Sequence, residues 1–332
     1  MLHPNLIRTR PAMVALTLLV GTASFTGCAS STAVEQTSEP IVVSLDDARA
    51  LPLHDGHTGE SITWSELVPR LRSADIVLLG ELHDDAAGHA FQRAVVRALT
   101  ETHGSRFALA MEMLERHEQP LVDDYLEELI SEDDFAELTF SSRWSGEGSW
   151  SSWYQPIIDE VKLAGGDVIA ANAPRRYVRL ARRDGVEKIE ALDDTRRAFV
   201  ELPMTLESDH YRKRFWRLAE MARERRAEEN GQSDVTITIP DDDPGMVSFF
   251  RSQSVWDATM GTSTARAWLR DDTDCVALLV GQFHIEHDGG TAQIVRALAP
   301  DARILSITMQ RGNAADDVPG EGAISDIVVR TD

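Results

Sequence analysis

The chain has 332 residues, 42% hydrophobic and 27% charged, with 33 Lys+Arg against 55 Asp+Glu and a formal net charge of -22. That balance excludes nucleic acid as the main partner and disfavours docking on anionic lipid through a basic patch, because both depend on clustered cations. The apolar fraction is that of a globular protein, which excludes wholesale disorder, and the length allows about two domains or one large α/β body.

Residues 1–27 carry Arg8 and Arg10, no acidic residue, an apolar run from Met13 to Val20 and then mostly small residues up to Gly27. A basic start, a short apolar core and small residues before a break mark a secretory signal. The apolar run is shorter than the roughly 20 residues a membrane span needs. Phe25-Thr26-Gly27-Cys28 resembles the bacterial lipobox, in which the cysteine is acylated and becomes the mature N-terminus. Ala29 after Cys28, rather than Asp, resembles the sorting pattern for the outer membrane. The expected division is therefore a signal over 1–27, a polar flexible tether over 28–45 and an α/β domain over 46–332. With Cys28 acylated, Cys275 has no partner for an internal disulfide and reads as a buried small hydrophobe.

Along the domain, Ile76–Gly80 is a continuous, β-branched-rich run ending in glycine, the pattern of a strand buried on both faces. A helix follows over 87–100, with Ala90, Phe91, Ala94, Val95 and Ala98 on one face. Phe107–Met111 predicts the second strand and Glu118–Ile130 the next helix. Asp167–Ala171 predicts the third strand, with Pro174 placed for the first turn of a helix to Arg183. Cys275–Val280, a helix over Thr291–Leu298 and a strand over Ile304–Met309 complete the pattern. Strands alternating with helices imply βαβ units, hence an α/β fold with a mainly parallel sheet flanked by helices. Residues 131–160 and 195–270 lack strand patterns and predict an inserted helical layer or lid, with a loop over 234–245.

One short signature occurs twice. Gly80-Glu81-Leu82-His83 closes the first strand and Gly281-Gln282-Phe283-His284 closes the fourth. Both histidines are expected at carboxyl ends of parallel strands, the edge where open α/β sheets bind ligands. Glu81, Glu112, Asn172, Glu286 and His287 also follow strands. Imidazole with carboxylate suits a divalent metal and its bound water, with His83, His284, Glu81 and Glu112 as the candidate set. The same imidazoles suit an axial bond to haem iron. In a hydrolase these four residues are the catalytic candidates. Whether the chain is an enzyme stays open on this reading.

The motifs Gly80-Glu81-Leu82-His83-Asp84, His89-x-x-Gln92, Met111-Glu112-Met113, Glu115-Arg116-His117-Glu118-Gln119-Pro120 and Trp153-Tyr154-x-Pro156 occur in order. Ala171-Asn172-Ala173-Pro174-Arg175, Glu201-Leu202-Pro203, Gln253-x-x-Trp256-Asp257-x-x-Met260 and Gly281-x-x-His284 follow them. In these the chain resembles the ChaN-like haem-binding lipoproteins, which share a superfamily with Tiki-type metalloproteases and erythromycin esterases. The resemblance runs from about Leu53 to Leu298. It implies an α/β body, lipid anchorage at the outer membrane through Cys28 and haem capture in iron acquisition, with a tyrosine axial ligand and a homodimer. Relatives carry Tyr-Gly-x-Gly three residues beyond the second histidine; here the text is His287-Asp288-Gly289-Gly290, so His287 stands where the tyrosine would. The cofactor-binding candidates are thus His83, His284, His287 and Arg175, the last for haem propionates, with divalent metal as the alternative cofactor.

Overall fold

A computed structural model describes residues 40–141, 144–146, 148–207, 209–232, 235–311 and 323–332. The signal, Cys28 and the tether up to residue 39 lie outside the described residues. The described chain opens with α1 (Leu45–Arg49), β1 (Leu53–Asp55), β2 (Ser61–Ile62) and α2 (Trp64–Ser73). The central part runs β3 (Ile76–Glu81), α3 (Ala86–His103), β4 (Phe107–Glu115), α4 (Gln119–Leu126), α5 (Glu132–Leu138), α6 (Gln155–Ala164) and β5 (Asp167–Asn172). Five helices follow: α7 (Arg175–Asp184), α8 (Glu187–Glu190), α9 (Asp194–Arg197), α10 (His210–Glu229) and α11 (Pro244–Trp268). The chain then closes with β6 (Cys275–Gly281), α12 (Gly290–Leu298), β7 (Ile304–Gln310) and β8 (Ile327–Arg330).

The strands form one sheet in the order β2-β1-β8-β7-β3-β6-β4-β5. From β8 to β5 all pairings are parallel, while β1 pairs antiparallel with both β2 and β8. The α/β fold with a mainly parallel sheet is as the sequence implied, and the five expected strands are β3, β4, β5, β6 and β7. The short β1, β2 and β8 were not foreseen. They extend one side of the sheet, where strands of only two to four residues are too short to read as a pattern.

Continuous apolar strands are buried here on both faces because helices cover both. Val77, Leu79, Leu109 and Met111 pack with Phe91 and Val95 of α3 and Ile157, Ile158 and Val161 of α6. The alternate residues Ile76, Leu78, Ala108, Ala110 and Leu278 meet Met260 and Ala265 of α11 and Ala292 and Val295 of α12. Each large apolar side chain removed from water in this way contributes about 1.5–3 kcal/mol. Local signals set the helix ends. Thr63 and Glu66 form a capping box on α2, Gly165 ends α6 with φ at 71°, and Asp243 accepts the Met246 N–H ahead of Pro244 in α11. Among the described residues no helix is long and apolar enough to cross a membrane.

The predicted insertions resolve into different things. Residues 131–160 become α5, one π-helical turn over Trp150–Tyr154 and the start of α6. In the second stretch, α10 is a long, charge-rich helix, and α11 lies directly on the sheet as part of its covering layer rather than as a lid. The helix expected over Glu118–Ile130 is shorter, because Glu128 takes a positive φ of 62° just beyond α4.

Candidate site at the carboxyl rim of the sheet

Strands β3 and β6 are neighbours, with Glu81 opposite Gly281 in the register. Their doubled signatures therefore emerge side by side, offset by one residue. His83 leaves β3 just before α3, and His284 ends the 3-10 turn that follows β6. β4 runs on the other side of β6, but its pairing shifts register after Met111. That departure frees the Gly281 N–H from a ladder partner, and Glu112 Oε2 accepts it at 2.6 Å. The structure thus brings Glu81, His83, Glu112 and His284 together at one rim.

Two imidazole–carboxylate pairs face this rim. His83 Nδ1 lies 2.7 Å from Glu81 Oε1, and the same oxygen accepts the Tyr154 hydroxyl at 2.7 Å. Gln92 donates to Glu81 Oε2 at 3.1 Å, and His89 lies 3.7 Å from that oxygen. His89 in turn sits 3.0 Å from Gln92 Oε1 and 3.2 Å from the His83 carbonyl. Glu81 is 2% exposed; burial works to raise its pKa, but His89, His83 and Tyr154 together hold it below the ordinary value. On the other side, His284 Nδ1 lies 2.6 Å from Asp257 Oδ1, which also accepts Thr291 Oγ1 at 2.7 Å. Tyr211 donates to Asp257 Oδ2 at 2.9 Å, and Gln253 donates to the Tyr211 oxygen at 2.9 Å.

Both pairs are held through Nδ1, so Nε2 is the nitrogen each presents. His284 Nε2 lies 3.8 Å from Glu112 Oε1. A Cβ on Gly281 would stand 3.3 Å from His83 Cε1 and Nε2 and 3.5 Å from Glu112 Oε2, so glycine leaves room for the ring. Gly290 is more stringent: a Cβ there would fall 2.6 Å from Asp257 Oδ2 and 2.7 Å from Tyr211. Desolvation opposes charge on His83, but the Glu81 hydrogen bond and the charges of Glu81, Glu112 and Asp84 raise its pKa to about 9. For His284 desolvation is again outweighed, by Asp257 and then Glu112, while the charge of His83 pushes back.

The two imidazoles differ in access. His83 has 44% of its side chain exposed and meets the half-buried Trp144 edge to face at 5.6 Å, whereas His284 is 9% exposed. Arg175 places its guanidinium 5.4 Å over the Trp144 ring and 3.7 Å from Glu115, so it belongs to the margin of the site. His287 takes a positive φ of 49°, donates its N–H to Ile324 at 2.7 Å and has its ring 6.5 Å from that of His210. Asn172 donates to the Glu112 carbonyl, and Glu286 pairs with Arg214. All four tyrosines are buried, two of them bound to the carboxylates of the imidazole pairs.

For metal, both Glu81 oxygens already accept hydrogen bonds and one Glu112 oxygen holds Gly281. Among the described residues no group of three or more His, Cys, Asp or Glu is arranged to hold a metal ion. Sequence reasoning did not select Asp257, Gln253, Tyr211, Gln92 or Tyr154 for the site. The available signal was the pair Gln253 and Asp257, one turn apart on a helix face otherwise occupied by Met260, Ala265 and other buried residues.

Residues 67–295 match the family described as haem-binding uptake, Tiki superfamily, ChaN. The solved structure of ChaN of Campylobacter jejuni with cofacially bound heme is 19% identical, covers 84% of this chain and 96% of its own, and superposes with a TM-score of 0.59. An erythromycin esterase mutant in its open conformation is 13% identical over 83% of this chain and 82% of its own, with a TM-score of 0.42. No curated protein matches the sequence. The match spans most of the chain, and the protein belongs to the ChaN haem-binding uptake family of the Tiki superfamily.

Proposed function

We propose that the protein captures haem at the rim formed by β3, β6 and β4, with His83 as the imidazole that meets the iron. The reading rests on one observation above all: of the two rim imidazoles, His83 is the one reachable from solvent, with Nδ1 held by Glu81 and Nε2 free of that bond. A carboxylate on the far nitrogen orients an imidazole ligand and makes it more basic. Trp144 offers a flat apolar face beside it, and Arg175 a cation for a propionate. His284 supports from within, while His287 remains a candidate second ligand from the turn after β6. When bound, haem supplies an iron centre; the chain supplies the imidazole, the aromatic wall and the counter-charge.

Titrating the protein with hemin should give a saturable Soret shift that His83→Ala weakens more than His287→Ala. A featureless, non-saturating titration ends this reading. Export, acylation at Cys28, residence at the outer membrane and a homodimer belong to the same proposal. Mass spectrometry of the mature N-terminus tests the anchor, and an unmodified Cys28 refutes it.

A second reading, hydrolysis, is favoured by the matched pairs Glu81–His83 and Asp257–His284 flanking Glu112. Both imidazoles have raised pKa values and so suit the role of proton donor to a leaving group, with Glu112 as the base toward water. Ester cleavage abolished by Glu112→Gln, in protein that does not bind hemin, would select it.

A further inference from the structure

The formal net charge is -22, yet α7 reads Arg-Arg-Tyr-Val-Arg-Leu-Ala-Arg-Arg-Asp, five arginines against one carboxylate. Tyr177, Val178 and Ala181 form its buried face, and Arg175, Arg176, Arg179, Arg182 and Arg183 are all exposed. Few acids quench them. Arg183 is bound to Asp184, and Arg175 shares Glu115. Arg176 and Arg182 instead lie over aromatic rings, those of Tyr177 at 4.6 Å and Phe249 at 5.0 Å. Glu115 and Glu118 also feel the charges of Arg175 and Arg176, and burial raises the pKa of both.

This stripe begins where the site ends. The guanidinium of Arg175, first residue of α7, lies over Trp144, and Trp144 meets the exposed ring of His83. Five cations on one helix, one aromatic ring and a rim imidazole therefore form a continuous surface. An anion approaching a protein of this charge is repelled over most directions, so a local cationic strip decides where it arrives.

We infer that the arginine face of α7 is the approach path for a planar, carboxylate-bearing ligand, which it guides across Trp144 to His83. The inference rests on the haem reading for the identity of that ligand, and it adds the route and the requirement for negative charge. Steering of this kind raises association rates by about 10- to 1,000-fold and fades as salt shortens the Debye length from about 30 Å at 0.01 M to about 3 Å at 1 M.

Stopped-flow mixing of the full-length chain with hemin at low salt should show a fall in association rate of about ten-fold in the combined variant Arg176→Gln, Arg179→Gln, Arg182→Gln. The dissociation rate should not change, and the two proteins should converge near 1 M salt. Equal association rates, or a change confined to dissociation, overturn the inference. A second measurement needs no haem. The iodide quenching constant of the fluorescence component lost in Trp144→Phe should be lower in the arginine variant than in the native chain, while the constant for neutral acrylamide stays the same. An unchanged iodide constant overturns the path, whereas hemin failing to bind while the iodide constant falls overturns the haem reading alone.

Discussion

Glu81 and Glu118 are two buried carboxylates with opposite fates, and their neighbours explain why. Glu81 receives Tyr154 and Gln92 and sits against two imidazoles, which offset the cost of burial. Among the described residues Glu118 accepts just the Glu115 N–H, at 2.6 Å, and feels the Glu115 charge, so desolvation prevails and its pKa rises to about 7. A raised carboxylate pKa means that the folded state binds more protons than the unfolded one between the ordinary value near 4.5 and about 7. Stability from this group is therefore full below that window and declines as pH climbs through it. Glu118→Gln keeps the acceptor oxygen and removes the charge. Urea denaturation across pH 4–8 should show the variant gaining about 1–3 kcal/mol relative to the native chain at pH 8 and nothing at pH 4. A pH-independent difference would refute the assignment.

At the scale of elements, α11 and α12 meet through a glycine. A Cβ on Gly261 would stand 2.6 Å from Ile294 Cγ2 and 2.9 Å from Ile294 Cβ. Gly261→Ala should cost about 1–3 kcal/mol by overpacking despite the better helix propensity of alanine. Adding Ile294→Ala should recover part of that loss in a double-mutant cycle, and strict additivity would show that the contact is not the cause. The central strands were legible because two covered faces demand unbroken apolar runs, as in Ile76–Leu79 and Val276–Val280. That His83 and His284 leave the same edge followed from the apolar run and glycine ahead of each; the register, with Gly80 opposite Val280, did not. What the sequence hid was carried by helices: Asp257 and Gln253 look like the polar side of α11 until Tyr211 and Thr291 are found bonded to the same carboxylate. The strand β8 was hidden for another reason: it is only four residues long and lies between β1 and β7 in the sheet.

For the whole molecule, the surplus of 22 negative charges makes self-repulsion a term in stability. Raising ionic strength from about 0.01 M to 0.15 M shortens the Debye length from about 30 Å to about 8 Å. The melting temperature should therefore rise over that range at pH 7, and a fall would mean that attractive pairs dominate instead. The same surplus explains why composition alone disfavoured any cationic surface: a sum over the chain is silent about one helix such as α7.

The partnership of β3 with β6 has a further consequence. Their strand ends come from opposite halves of the folded chain, and neither half presents the rim by itself. Whatever bridges them acts as a clasp that opens only when the sheet comes apart. Occupancy should then be readable as heat resistance of the entire body, adding about 2.7 kcal/mol at a hundred times the dissociation constant. A calorimeter would thus screen for the physiological guest without any assumption about its colour or chemistry.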